Sequence, residues 1–518
     1  MTFKTARWIA FATGGVLVVL AIAAAAGSRT ETLRRLVTEA LAERLDSDIE
    51  LSAFSVDTFP TVTVRGEGLV VRHRGRRDVP PLVSIESFSV EGGMFGLLSR
   101  PRRFRNVTLT GLQINIPPGG LDAGGKPDAA PEPGPEPEQK PSPFIIARLS
   151  ADGAELRIIP REEGKEPRLF SIHRLEMDSL GVAEKMPFQA ELTNPVPAGT
   201  IHTDGEFGPW QKRNPGQTPL AGRYTFAGAD LSTIKGIGGI LESTGEFGGQ
   251  LERIAVKGET RTPDFRVNVS GQPVPLTARF QAVVDGTNGN TYLNDVFATF
   301  QKTSLRATGE VTGTKGVKGR TVQLDVRIEE GRIEDLLRLS VKSDGPPMIG
   351  DVALRTDFTL PPGDRDVVER LRLAGEFDVD GRFTNREVQA KLTGMSDRAR
   401  GEATGTGGGN VMSGLSGRFR MEDGVLAFPE LGFAIPGATV DLRGTYGLKS
   451  EALAFDGTLR MDATISEAAG GGIKSFLLKA VDPLFRKRNA GAVLPIKVRG
   501  TRSEPKFGLD VFKALTPK

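Results

Sequence analysis

The chain has 518 residues, with 64 glycines, 34 prolines and 38% hydrophobic residues, a mix that suits many short strands and turns better than helix bundles. It contains no cysteine, which excludes disulfides, thiolate chemistry and cysteine-held zinc or iron–sulfur centres. With 67 basic residues against 64 acidic ones the formal charge is +3, so net charge gives no argument for a nucleic-acid partner.

At the N-terminus, Trp8 to Ser28 carries no charged residue and is long enough to cross a hydrocarbon core of ~30 Å. Lys4 and Arg7 precede it and Arg29, Arg34 and Arg35 follow, so flanking charge alone does not orient it. A very long following domain is translocated regardless of such charges. A cleavable signal peptide is the alternative, since Ala24-Ala25-Ala26-Gly27 offers small-residue cleavage sites. The apolar run exceeds the usual signal-peptide core, which favours a retained anchor. Residues 1–28 are therefore read as a cytoplasmic tip and one transmembrane helix, with the bulk of the chain exported.

Residues 29–116 open on Ser28-Arg29-Thr30-Glu31, a capping-box pattern. Leu33, Leu36, Val37, Ala40, Leu41 and Leu45 then fall at helical spacing. Such a helix can lie on a membrane or plug the end of a sheet. Glu39, Glu43 and Asp46 dilute the basic face that a membrane surface favours, which points to the plug. From Ile49 the period becomes two, as in Val62/Val64, Val107/Leu109 and Leu112/Ile114/Ile116, the pattern of half-buried strands. Residues 117–143, with Pro-Glu-Pro-Gly-Pro-Glu-Pro-Glu at their centre, cannot build a core and read as a disordered insertion between strands.

Residues 144–518 return to alternation. Clear runs are Phe265/Val267/Val269, Leu276/Ala278/Phe280, Val322/Leu324/Val326/Ile328, Val352/Leu354, Leu459/Met461/Ala463/Ile465 and Ile496/Val498. Asn288-Gly289, within Asp285–Asn290, is the strongest hairpin signal. A loose repeat of glycine, a polar residue and a large apolar one recurs at Gly205, Gly245, Gly375, Gly417, Gly444 and Gly457. It predicts a meander in which a turn glycine opens successive strands. A last helix is expected near 472–487, with Ile473, Phe476, Leu477, Ala480, Val481 and Leu484 on its apolar face and Lys474, Lys479, Arg486, Lys487 and Arg488 around it. It suits an anionic membrane surface or packing on the last strands.

Nothing in the chain asks for an enzyme, a cofactor or a metal. His73, His173 and His202 are scattered without metal-ligand spacing. Gly405–Asn410 resembles a phosphate loop only in composition, and Asp285–Asn290 breaks the oxygen-ligand alternation of a calcium loop at Gly289.

Long runs of one-sided strands have two solutions. A two-layer sandwich buries the apolar faces against each other and needs no ligand. A sheet that curls into a trough keeps a continuous apolar strip inside, and acyl chains are its natural filler, each shielded CH₂ contributing ~0.8 kcal/mol. In a trough the lining residues would include Val107, Leu109, Val267, Val269, Leu276, Phe280, Val322, Leu324, Val326, Leu354, Leu459 and Met461.

Several stretches resemble AsmA-like proteins of Gram-negative bacteria. They are the anchor with the helix at Leu33–Leu45, Phe54-Ser55-Val56 with Phe59-Pro60-Thr61-Val62-Thr63-Val64, and the phrase running from Val107 to Ile116. Ala229-Asp230-Leu231-Ser232, Thr262-Pro263-Asp264-Phe265 and Val284–Gly289 continue the likeness, as do Lys474–Lys479, Leu494–Thr501 and Pro505-Lys506-Phe507-Gly508 at the end. The resemblance covers nearly the whole chain and offers no catalytic residues. It implies a mainly β protein, a long curled antiparallel sheet or β-taco groove like that of bridge-like lipid transfer proteins, with an N-terminal transmembrane helix and short amphipathic capping helices. It further implies a single-pass inner-membrane protein with its bulk in the periplasm, binding phospholipids or other acyl lipids and aiding their transport between the inner and outer membranes, or outer-membrane homeostasis. The alternative is an envelope assembly factor that acts on outer-membrane proteins, or on other envelope proteins, by strand addition. A surface sandwich adhesin is a third reading.

Overall fold

The computed structural model describes residues 47–57, 61–73, 80–93, 95–96, 99, 101–116, 144–158, 168–181, 185–209, 211, 215–314, 317, 319–402, 411–463, 492–502 and 504–509. The anchor at Trp8–Ser28, the helix at Leu33–Leu45, the insertion at 117–143, the segment Gly405–Asn410 and the helix near 472–487 lie outside the described residues. Among the described residues no helix is long and apolar enough to cross a membrane. The protein is mainly β, with 26 strands and three short α-helices among those residues. It divides into two units, Met1–Thr233 with Ile240–Thr260 and Val283–Gly289, and Ile234–Gly239 with Arg261–Ala282 and Asn290–Lys518.

In the first unit, β1 (Ser47–Glu50) and β2 (Ala53–Asp57) pair end to end with β3 (Val62–His73). β3 continues antiparallel to β4 (Val83–Gly92), and β4 to both β5 (Arg102–Thr110) and β6 (Gln113–Ile116). β7 (Phe144–Ile158) then runs parallel to β5 and β6, from Arg102↔Phe144 to Ile116↔Ile158. Parallel neighbours need a long crossover. Residues 117–143 connect β6 to β7. From there β8 (Arg168–Leu180), β9 (Met186–Pro195), β10 (Ala198–Phe207), β11 (Pro219–Asp230) and β13 (Ile240–Gln250) form an antiparallel meander. The alternating residues of β3, β4, β5 and β7 make a closed core that includes Val64, Leu69, Val71, Phe88, Val90, Phe104, Val107 and Ile146.

In the second unit, the short β12 (Ile237–Gly238) pairs with the end of β14 (Arg253–Val267). β15 (Val274–Val284) leads into the Asp285 turn, which is counted with the first unit and where Gly289 N–H donates to the Asp285 carbonyl at 2.6 Å and Thr287 N–H to the Asp285 carboxylate at 2.8 Å. The meander then runs antiparallel through β16 (Thr291–Phe300), β17 (Thr303–Thr312), β18 (Thr321–Arg332), β19 (Met348–Leu360), β20 (Arg372–Phe383) and β21 (Ser413–Glu422). It ends with β22 (Val425–Ile435), β23 (Ala438–Gly447), β24 (Ala452–Met461), β25 (Ala492–Thr501) and β26 (Pro505–Leu509). Helix α1 (Ile333–Ser340) follows β18, α2 (Val367–Arg370) precedes β20, and α3 (Arg386–Ala399) joins β20 to β21.

One sequence expectation is corrected. The repeated glycines do not open strands at turns; Gly205, Gly245, Gly375, Gly417, Gly444 and Gly457 all lie inside strands. The reason is close backbone approach. A Cβ on Gly375 would stand 2.2 Å from the carbonyl oxygen of Arg355 on β19, and one on Gly444 would stand 2.1 Å from that of Ala454 on β24. Glycine in mid-strand marks such close approaches and lets a sheet bend sharply.

Candidate functional site

Register places the apolar residues of β18 to β25 on one face. One cross-strand row runs Val352, Val379, Leu415, Phe433, Val440, Leu459, Leu494. A second runs Leu324, Phe358, Leu373, Met421, Leu426, Tyr446, Leu453. Between them the glycines alternate with large rings: Gly375 pairs with Phe419, Phe377 with Gly417, and Gly444 with both Phe428 and Phe455. Rings therefore nest beside glycines, with Phe377 and Phe419 centroids 6.1 Å apart and Phe428 and Phe455 6.0 Å apart.

The burial of this face is incomplete. Leu324, Phe358, Phe377, Leu415, Phe419, Leu431, Phe433, Val440, Leu442 and Leu459 are all half-buried. The core of the first unit is closed by contrast, with Val107 1% and Leu109 6% exposed. A helix seals one corner of the second unit's face: Ile333, Leu336 and Leu337 of α1 pack on Met348, Val352 and Val379, and Met421 and Phe455 are buried on the same face as well. Polar contacts hold α1 in place. Buried Asp335 accepts from Lys302 N–H at 3.0 Å and from Thr303 Oγ1 at 2.8 Å. Burial pushes the Glu334 carboxyl upward, but hydrogen bonds from the Gly350 N–H (3.0 Å), its own backbone and Arg332 outweigh that and hold it below the ordinary value.

The opposite face of the same strands is charged and solvated. Ion pairs cross it from strand to strand, including Arg418–Glu430, Arg460–Asp441 and Arg499–Asp456 (3.0 Å). Exposed pairs of this kind contribute little to stability. The Arg418 guanidinium lowers the Glu430 carboxyl, and Arg327 lowers Asp325 in the same way. A shallow cleft of about 1550 Å³ spans these strands. Its lining comes in strand triplets such as Ala353-Leu354-Arg355, Glu376-Phe377-Asp378 and Ser416-Gly417-Arg418, so residues of both faces contribute to it. Val352, Val379, Leu415 and Phe433 take no part in it. Among the described residues no group of three or more His, Asp or Glu could hold a metal ion.

The expected lining residues separate into three sets. Val322, Leu324, Val326, Leu354, Leu459 and Met461 share the half-buried face of the second unit. Leu276 and Phe280 in β15 and Val267 at the end of β14 are half-buried too. Val107 and Leu109 belong instead to the closed core of the first unit, and Val269 lies beyond the end of β14, 57% exposed in the following turn. Composition and alternation did not single out the phenylalanines of this face, Phe358, Phe377, Phe419, Phe433 and Phe455. The glycine–polar–apolar repeat already held three of them or their cross-strand partners, once it is read as strand interior. Set against known proteins, the chain matches no family model, no curated protein and no solved structure.

Proposed function

We propose that this chain is a non-enzymatic lipid-binding protein of AsmA-like type, whose apolar face forms the floor of a curled groove that shields acyl chains. The observation that carries this reading is the continuous face of β18 to β25, apolar throughout, half-covered and backed by a charged face. Each CH₂ withdrawn from water onto such a face contributes ~0.8 kcal/mol, so a two-chain lipid would bind without any specific headgroup site. The mid-strand glycines support the curl, because they relieve the crowding that sharp bending brings to a concave surface. In this reading the Trp8–Ser28 segment anchors the protein in the inner membrane of a Gram-negative cell, and the strands work in the periplasm in phospholipid transport toward the outer membrane or in outer-membrane homeostasis.

Site-specific photocrosslinking tests it. p-Benzoylphenylalanine placed at Leu431 or Phe433 is expected to capture phospholipid in cells, detected by mass spectrometry, while the same probe at Arg355 or Glu376 on the charged face captures none. Leu324→Asp or Phe280→Asp is expected to abolish capture without preventing export. Equal capture on both faces, or none on either, would sink the groove. A tight complex with a barrel-assembly component and no bound lipid would point to strand addition instead.

A further inference from the structure

Helix α3 is packed inside out. Apart from the small Ala399, its buried side chains are polar: Gln389, Ser396 and Asp397. Each is satisfied by the strand ends around it or by a neighbouring side chain. Gln389 accepts from Phe383 N–H at 3.1 Å and donates to the Val411 carbonyl at 2.8 Å. Ser396 donates to the Pro436 carbonyl at 2.6 Å, and Asp397 accepts from Arg400 at 3.0 Å. Asn385 caps the first turn through Glu387 N–H and Val388 N–H. The apolar side chains take the other side. Val388 is 39% and Met395 54% exposed, with half-buried Leu392 between them at i+4, and Met412 just beyond Val411 is 51% exposed. An ordinary surface helix puts this stripe against the core and its polar residues in water.

The charge beside the stripe is positive. At helical spacing Lys391 and Arg398 fall along one edge of Val388 and Met395, and Arg386 stands at the first turn, against one exposed acid on the helix, Glu387. The chain also leaves β24 for segment 464–491 at this same end of the strands, since Met461 pairs with Ala492 and Ala463 N–H donates to the Ala399 carbonyl at 2.7 Å. That segment carries Lys474, Lys479, Arg486, Lys487 and Arg488 against Glu467 and Asp482. Both stretches are net basic. An anionic surface suits both.

We infer that α3 docks on an anionic lipid bilayer, with Val388, Leu392, Met395 and Met412 entering the headgroup layer and Lys391 and Arg398 meeting lipid phosphates. This contact does not depend on acyl chains occupying the apolar face of the strands. The absence of cysteine makes the test direct. Met395→Cys in the full chain, held in zwitterionic nanodiscs, is labelled with an environment-sensitive fluorophore and mixed with separate vesicles. Vesicles with one-third phosphatidylglycerol are expected to raise its emission about twofold with a blue shift, and phosphatidylcholine vesicles to leave it unchanged. Flotation of the unlabelled chain with anionic vesicles is expected to fall about tenfold in Lys391→Glu/Arg398→Glu, whose exposed positions do not touch packing, and to fall with added salt. Three results would overturn the inference. The first is no response to anionic vesicles, or an equal response to neutral ones. The second is unchanged flotation of the charge-reversed variant. The third is a probe already shielded before vesicles are added and released by deleting 464–491, which would show that the chain covers its own stripe.

Discussion

Glycine is the residue on which the second unit's strands turn. Gly375 and Gly444 stand where a side chain would enter the carbonyl of the next strand, so the contact is with backbone and has no flexible end to yield. Gly375→Val and Gly444→Val are each expected to cost roughly 2–4 kcal/mol in urea unfolding, by forcing a strand apart along the apolar face. Gly93→Ala, where nothing lies within 4 Å of the added Cβ, is expected to stay within about 0.5 kcal/mol. If all three variants behaved alike, close approach would not be why these positions are glycine. The repeat itself was visible in the sequence, but its meaning was not. A glycine before a polar residue and an aromatic reads as a turn, because the pressure that demands it comes from a strand elsewhere in the chain.

Among the elements, α1 shows how a short helix seals part of an open sheet. Ile333, Leu336 and Leu337 cover Met348, Val352 and Val379, and Glu334 ties the helix start to Gly350 and Arg332. The folded-state pKa of Glu334 lies below its unfolded value. The stability it supplies is therefore present above the unfolded value of ~4.3 and lost as pH falls through the lower folded one. Glu334→Gln is expected to lower stability by about 1 kcal/mol at pH 7, with the gap to wild type closing as the pH falls toward 3. A gap that does not change with pH would remove the carboxylate from the account. Strands such as β18 and β25 were legible from their period of two, which needs only local sequence. Helices α1 and α3 were not. Ile333/Leu336/Leu337 is too short to outweigh the alternation on either side of it, and α3 lacks an inward apolar stripe because its buried residues are Gln389, Ser396, Asp397 and a single small apolar one, Ala399.

At the level of the whole chain, the sequence marks 117–143 as an insertion between strands, and the described strands on either side set the distance it has to cover. β6 ends at Ile116 opposite Ile158, and β7 begins at Phe144 opposite Arg102. The chain must therefore travel back along the paired strands, roughly 45 Å at the ~3.3 Å rise of a strand. An extended chain covers at most ~3.3–3.6 Å per residue, so about fourteen residues are the minimum. Composition alone could not show this, since parallel pairing is a long-range choice that period-two alternation leaves open. Removing about ten residues from the middle of the segment is accordingly expected to leave the thermal midpoint of the first unit nearly unchanged, because loop-closure entropy varies slowly with length. Removing about twenty leaves a connection spanning no more than ~25 Å, too short for the return. That variant is expected to lose the β5–β7 pairing and, with it, the closed core that holds Val107 and Ile146, read as exposure of β5 to proteolysis and a collapse of the cooperative transition. A fully folded protein with the shorter connection would mean that β7 does not lie parallel to β5.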